Sequence, residues 1–419
     1  MKPHRMTIFA GMLGAALLLS GTPAPAQNTC ITCHRELGGD LAAPVTAAEL
    51  GDIHAARGLS CADCHGGDPT AEDAEVSMSP QRGFMGTPQP QEIPAFCGRC
   101  HSDPRFMRRF DPAIPTDQVE KFWTSHHGQA LQQGDTRVAT CVDCHDTHAI
   151  LPSDNPKSWV WPVNVPATCH RCHGNADLMS AYNLPADVYD QYARGVHGHA
   201  LLDENDTGAP ACNDCHGNHS ATPPGFESVA QVCRSCHPAN SEMFMVSPHR
   251  PAFDALGLPE CAACHDHHEI LPPVDAWLGV EGEHSCGQCH SPGDPGYQAS
   301  LAIHGWVDSL VTAMETAQDL VDQVERTGIE TEEAHEALTV ARNALLKSRT
   351  VIHTVREDSV EQSVEEGLAA AGTAFRLSLA ALEDFRFRKF GLGFASIFIT
   401  LLIVALWLKL RHMEKNKSR

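Results

Sequence analysis

The apolar residues of this chain gather at its two ends and in three amphipathic stretches close to the second end. Residues 6–19 form a short apolar run, and residues 391–408 read GLGFASIFITLLIVALWL, without a charge and long enough to cross a bilayer. Ahead of that second run, apolar positions recur at helical spacing over 306–325, and Thr327-Gly328 closes the period. A second helix is predicted from Glu332 to about Val355, its acidic first turn suiting the helix dipole. A third starts near Ser359 and can continue into the apolar run, although Gly367 and Gly372 weaken its interior. These elements predict a helical hairpin or three-helix stalk over 304–389, a transmembrane helix over 390–410 and a short tail over 411–419. Residues 28–303 show almost no helical or strand period, so the fold class expected is mainly α and irregular.

The flanks of the apolar runs assign them different roles. Lys2 and Arg5 precede the first, and Ala24-Pro25-Ala26 follows it as a small-residue cleavage site, so residues 1–26 read as a secretory signal peptide. The second has Trp407 at its edge, with Arg386, Arg388 and Lys389 before it and Lys409, Arg411, Lys415, Lys417 and Arg419 after it. Basic residues on both sides make the positive-inside rule a weak guide. An exported N-terminus with one stop-transfer segment places the tail in the cytoplasm. The formal charge of −22 disfavours nucleic acid as a partner and suits cationic or locally basic proteins.

The middle of the chain changes this picture through its cysteines. Cys-x-x-Cys-His occurs nine times, with thiols at Cys30 and Cys33, Cys61 and Cys64, Cys97 and Cys100, Cys141 and Cys144, Cys169 and Cys172, Cys212 and Cys215, Cys233 and Cys236, Cys261 and Cys264, and Cys286 and Cys289. Those 18 are all the cysteines there are. A zinc site or a disulfide framework gives no reason for a histidine directly after the second cysteine. Covalent attachment of a c-type haem does: the thiols bond the vinyl groups and the histidine binds iron. Nine haems c are therefore expected, with His34, His65, His101, His145, His173, His216, His237, His265 and His290 as proximal ligands. At roughly thirty residues per haem the segment is too sparse for an ordinary apolar core, so the haems themselves are expected to fill it.

An internal repeat organises the motifs. His127-Gly-Gln-Ala-Leu precedes CVDCHDTHAILP, His197-Gly-His-Ala-Leu precedes CNDCHGNHSATPP, and His249-Arg-Pro-Ala-Phe precedes CAACHDHHEILPP. Each unit is followed by a plainer motif, at Cys169, Cys233 and Cys286. A looser copy runs from His54 through Cys61 to Cys97, and Cys30 stands in front.

Of 26 histidines, nine belong to the motifs and 17 do not. Three of these follow a motif histidine at i+3: His148, His219 and His268. That spacing is too short to reach the far face of the same haem, so each is a candidate distal ligand to a neighbour. The H-x-x-A elements offer His127, His197 and His249, and His54 and His304 are placed similarly. Register chooses His127 over His126, His197 over His199 and His268 over His267. For the ninth haem His353, in an apolar setting, is preferred to His335 among glutamates, while a methionine ligand or an open iron stays possible. His170 and His284 are poorly aimed for the role.

With the nine motifs and the C-x-x-C-H-x-x-H pattern at Cys141, Cys212 and Cys261, residues 30–290 resemble the multihaem cytochromes c of the broad cytochrome c3-like group. The resemblance implies an electron carrier with bis-histidine haems in wire-like arrays. It also implies export, because haem is attached outside the cytoplasmic membrane in bacteria. The expectation is a protein of the bacterial inner membrane with its haem domain in the periplasm, passing electrons between a quinone-linked membrane donor and periplasmic redox proteins. A membrane quinol-oxidising complex is the expected docking partner of the stalk. The C-terminal anchor departs from the tetrahaem quinol oxidisers, which are anchored at the N-terminus. The helices after the last motif are similar in layout to the nitrite reductases and hydroxylamine oxidoreductases, which implies as an alternative an enzyme with one open-site haem. Against that, no Lys-bearing motif is present and none of Tyr182, Tyr189, Tyr192 and Tyr297 lies in a recognisable cross-linking context.

Overall fold

At three motifs a short helix begins with the first cysteine, and the reason is local. In CADCH, CVDCH and CNDCH the third residue is aspartate, and its carboxylate accepts the backbone N–H of the residue before the helix. Ser60 donates to Asp63 at 2.6 Å, Thr140 to Asp143 at 2.7 Å and Ala211 to Asp214 at 2.8 Å. Each bond satisfies an amide that the first turn leaves without a helical acceptor. The helices Cys61–His65, Cys141–His145 and Cys212–His216 thereby carry both thiols and the histidine on about one turn. The next residue reverses the chain with positive φ: Gly66 at 71°, Asp146 at 69°, Gly217 at 80° and Asp266 at 61°. That reversal lets a histidine three residues on point away from its own motif.

The computed structural model describes residues 28–49, 51–223 and 229–417; the expected signal peptide and the last two residues of the tail lie outside them. Among the described residues there are helices and irregular chain but no β-strand. Contacts divide the chain into two units, Met1–Asn164 with His219–Ala221, and Val165–Asn218 with Thr222–Arg419. The first unit starts with α1 (Thr29–Leu37) and α2 (Gly39–Glu49), which pack together and are joined by an Arg35–Glu49 ion pair. It continues through the helices Ile93–His101 and His126–Gln132.

The second unit ends in three long helices, α3 (Pro295–Glu325), α4 (Glu332–Val351) and α5 (Glu357–Lys417). The spacing of apolar positions placed the start of the first at Trp306, but α3 starts at Pro295, inside the stretch assigned to the haem motifs. Asp294 caps it by accepting the Gly296 N–H at 2.7 Å, and proline suits the first helical position. The α4 helix ends in a tight turn, Ile352–Thr354, that carries His353. Ile303, Val307, Leu310, Leu345, Val360 and Val364 form the upper core of the bundle, and Ala317, Val321, Ala334, Leu338 and Ala374 the lower. Each large aliphatic side chain buried there contributes roughly 1.5–3 kcal/mol. The weak position Gly367 proves to be a packing device, since a Cβ there would meet the Leu310 side chain at 2.8 Å. Arg349 on α4 holds Asp275, ahead of the last motif, with two bonds of 3.0 and 2.7 Å.

Beyond the bundle core α5 continues unbroken into the apolar run, where Phe390, Phe394 and Phe398 are 72%, 75% and 70% exposed. Among the described residues this is the single helix long and apolar enough to cross a membrane, and it fits a single-pass anchor.

Candidate haem centres

The structure brings the histidines together two by two. In the first unit His65 faces His148 with ring centroids 6.2 Å apart, His145 faces His219 at 6.0 Å, and His54 faces His101 at 6.0 Å. In the second unit His197 faces His237 at 6.2 Å, His216 faces His268 at 6.1 Å, His249 faces His290 at 5.9 Å, and His265 faces His353 at 6.2 Å. Six pairs lie within 11–29° of parallel, and His54–His101 is near perpendicular at 87°. Two imidazoles bound on opposite sides of one metal, each nitrogen about 2 Å away, have centroids roughly 6 Å apart. Rings in direct contact would sit closer, as His267 and His268 do at 4.6 Å.

A pattern runs through the partners. The histidines of the Cys61, Cys141 and Cys212 motifs face the i+3 histidine of the motif two places further on, and His265 faces His353 instead. The histidines of the Cys97, Cys233 and Cys286 motifs face an upstream histidine in the first turn of a short helix, His197 and His249 in H-x-x-A elements and His54 in the looser copy. Backbone bonds fix that register. The residue before His54, Ile53, donates to the carbonyl of Ile150 at 2.8 Å; His126, before His127, donates to Ala221 at 3.1 Å; Val196, before His197, donates to Ile270 at 2.8 Å. In every case the acceptor lies two residues after an i+3 histidine. The residue before His249 is Pro248, which has no N–H to give. The helix Val196–Gly198 also needs glycine behind its histidine, because a Cβ at Gly198 would stand 2.0 Å from the Tyr192 carbonyl; Gly128 meets Phe122 in the same way at 2.1 Å.

The ring hydrogen bonds suit iron ligation. The Nδ1–H of His34 donates to the Leu41 carbonyl at 3.0 Å, that of His65 to Gly86 at 2.9 Å and that of His216 to Thr222 at 3.3 Å. His290 donates to the Asp294 carboxylate at 3.0 Å and His353 to the Thr350 carbonyl at 3.0 Å. A carbonyl or carboxylate can only accept, so Nδ1 carries the proton and Nε2 keeps its lone pair. Burial, and after it the charge of His219, pushes His145 down to about 4. Burial and the adjacent His267 do the same to His268, also to about 4. Neutral rings are the form that binds metal. A cavity of about 310 Å³ opens beside His145 and is lined further by Leu151, Lys157 and Trp159.

The cysteines show a second regularity. Cys141 lies against Cys97, Cys169 against Cys212 and Cys233 against Cys261. These are the first cysteines of consecutive motifs. Cys30 likewise lies near Cys61. Between these pairs the second cysteines meet: Cys64 lies near Cys100, Cys215 near Cys233 and Cys236, and Cys264 near Cys286 and Cys289. Within each unit, spatial order therefore follows sequence order, with first-cysteine contacts alternating with contacts through the second. Among the described residues no disulfide forms and no three His, Cys, Asp or Glu side chains converge on a bare-metal site.

The Cytochrome c3 family pattern matches residues 53–174 and 204–291, together half of the chain. The chain belongs to the cytochrome c3 family. Covalently bound haem c and electron transfer come with that membership, and the Cys-x-x-Cys-His helices and facing imidazoles fit the cofactor. No curated protein and no solved structure matches this cytochrome.

Two candidate ligands stand apart from the pairs. His304 lies on α3 beside Ile303, which is 3% exposed, and Val307, which is fully buried; those neighbours turn into the bundle, and among the described residues His304 faces no second ring. His34 is the motif histidine at the end of its unit and likewise faces none. His127 opens its helix in the same register as His54 and His197, and His173 closes the helix Val165–His173. Sequence reasoning missed the Asp294 carboxylate behind His290, although Asp at i+4 of a motif histidine was a readable signal.

Proposed function

We propose that this cytochrome carries haem c on all nine motifs and conducts electrons in motif order, between a quinone-linked donor at the membrane and redox proteins on the exported side. The observation that carries the reading is the set of seven facing imidazole pairs at 5.9–6.2 Å. When bound, the haems supply reversible one-electron chemistry. The chain's own part is to hold them: two thioethers and a proximal histidine at each motif, with distal ligands assigned to His54, His127, His148, His197, His219, His249, His268 and His353. Ligation by two histidines keeps potentials low, since a Met/His set raises them. Consecutive motifs brought together through their cysteines favour transfer between neighbours. The run over 390–410 would hold the protein in the bacterial inner membrane by a single pass, with the haem domain in the periplasm and the tail in the cytoplasm. The bundle α3–α5 would dock on a quinol-oxidising complex.

The test is haem stoichiometry with spin state on the detergent-solubilised protein. Nine haems per chain, with at least seven low-spin and bis-histidine by electron paramagnetic resonance, is the expected result. Fewer than nine, or several high-spin centres, would overturn it. The second reading, an oxidoreductase of the nitrite reductase or hydroxylamine oxidoreductase type, has one observation in its favour: the surroundings of His34.

A further inference from the structure

We propose that the haem at Cys30, Cys33 and His34 binds small exogenous lone-pair ligands, the class of carbon monoxide, nitric oxide and cyanide, at its distal face. The inference rests on the nine-haem reading above. His34 is built as a proximal ligand like the others. Its motif lies in α1, capped by Asn28, whose side chain accepts the Cys30 N–H at 3.2 Å. The Thr29 hydroxyl anchors that turn to the carbonyls of Pro69 and Ala71 at 2.9 and 2.8 Å. The Leu41 carbonyl on Nδ1 fixes the tautomer and leaves Nε2 for iron.

The difference lies in front of the ring. Seven motif histidines have a second imidazole with its ring centre 5.9–6.2 Å away; His34, among the described residues, has none. The repeat explains why. The paired motifs take their facing imidazole from a short helix upstream, from an i+3 histidine two motifs on or, at His265, from the turn that ends α4. His54 heads the first such helix and is committed to His101 at 6.0 Å. The Cys97 motif, two places on, continues His101-Ser-Asp-Pro and so has no histidine at i+3. The helix packed on α1 offers no substitute: α2 reads GDLAAPVTAAE, without imidazole, thioether or amine, and its Leu41 carbonyl stands behind the ring rather than in front of it. Leu37 and Leu41, beside the motif, are 66% and 51% exposed, so this part of the unit is reachable from solvent.

The experiment is carbon monoxide titration of the dithionite-reduced, full-length protein in detergent, followed by visible difference spectra and resonance Raman. One carbon monoxide per chain is expected, and it is expected to vanish in the double variant Cys30→Ala/Cys33→Ala, which removes the attachment of that haem, while the other haems keep their low-spin signature. His304→Ala is expected to bind one, like the parent. No binding, or a far-red thioether-to-iron charge-transfer band in the oxidised protein, would overturn the proposal, as would binding that survives loss of the Cys30 haem. If the double variant fails to mature, cyanide titration of the parent, read by electron paramagnetic resonance, decides: conversion of one high-spin centre supports the site and an unchanged spectrum sinks it. A protein with nine haems and no exogenous ligand would leave the carrier reading intact. A haem count below nine would instead remove its basis.

Discussion

His353 faces His265 at 6.2 Å with planes 23° apart, so the turn that ends α4 meets the histidine of the Cys261 motif across the width of a haem. Every other i+3 partner in the pattern comes from a motif loop; here the helical bundle takes that place. The last motif reads CGQCHSPGD and has no i+3 histidine to offer. The Thr350 carbonyl and the Arg349–Asp275 pair hold the turn in position.

Replacing His353 is therefore expected to act on one haem. In His353→Met a thioether would take the place of an imidazole and raise the potential of that centre, by on the order of 0.1 V within the roughly 0.8 V that axial ligands span. His353→Ala should instead create one new high-spin centre. Spectroelectrochemistry with electron paramagnetic resonance separates the two. An unchanged titration in both variants would rule out His353 as a ligand.

Gly198 tests the register of the repeat. A methyl there would stand 2.0 Å from the Tyr192 carbonyl, with the backbone of Ala193 also within reach. Gly198→Ala should cost about 1–3 kcal/mol, as overpacking does, and displace His197 from His237. Gly305→Ala is the control, since no atom lies within 4 Å of its Cβ position. In a helix interior that change should be neutral or stabilising by up to about 1 kcal/mol. Guanidinium unfolding, followed by the low-spin bands, measures both. Equal midpoints would show that the close approach carries no energy.

The motifs, the repeat, the helical bundle and the membrane run were legible because each is a local pattern of residues. The apolar neighbours of His353 favour it over His335 in the sequence; in the structure His353 faces His265, and His335 lies against Glu325 at 2.6 Å. Which histidine faces which motif was not legible. Pairing His65 with His148 spans more than eighty residues, and the deciding bonds, such as Ile53 to Ile150, are between backbone atoms that no side chain announces. The early start of α3 was missed for a different reason: Asp294-Pro295 is a capping signal, whereas the apolar period becomes regular only later. His304 is a candidate by its position in the sequence, and among the described residues no second ring faces it.

Asp146 occupies a conformation that glycine adopts at lower cost. Its φ of 69° and ψ of 174° lie in a region that is nearly glycine-only, where another residue costs about 1–3 kcal/mol. Gly66 and Gly217 hold the equivalent positions. Asp146→Gly is expected to stabilise the protein by about 1 kcal/mol once the greater chain entropy of glycine is subtracted, with the His65–His148 and His145–His219 spectra unchanged. A loss of stability would mean that the Asp146 carboxylate, which accepts the Thr147 N–H at 2.5 Å, outweighs the strain.

Asp294 does two things at once: it caps α3 and accepts the Nδ1–H of His290 at 3.0 Å. The other Nδ1 acceptors found on motif histidines, at His34, His65 and His216, are neutral carbonyls. A carboxylate draws the ring toward imidazolate and makes Nε2 a stronger donor, which favours the oxidised iron. The haem of the Cys286 motif should therefore sit low in potential. Asp294→Asn keeps a capping oxygen and hydrogen-bonding capacity but removes the charge, so the potential of that one centre is expected to rise, by less than a His→Met ligand exchange produces. The His290 bond holds the Asp294 carboxyl below the usual carboxylate range. Its influence on the haem should accordingly persist through neutral pH and fade only in acid, as the carboxylate is protonated. Redox titration of the parent and variant at neutral and acid pH measures both effects. Coincident potentials at neutral pH would show that the carboxylate serves the helix alone.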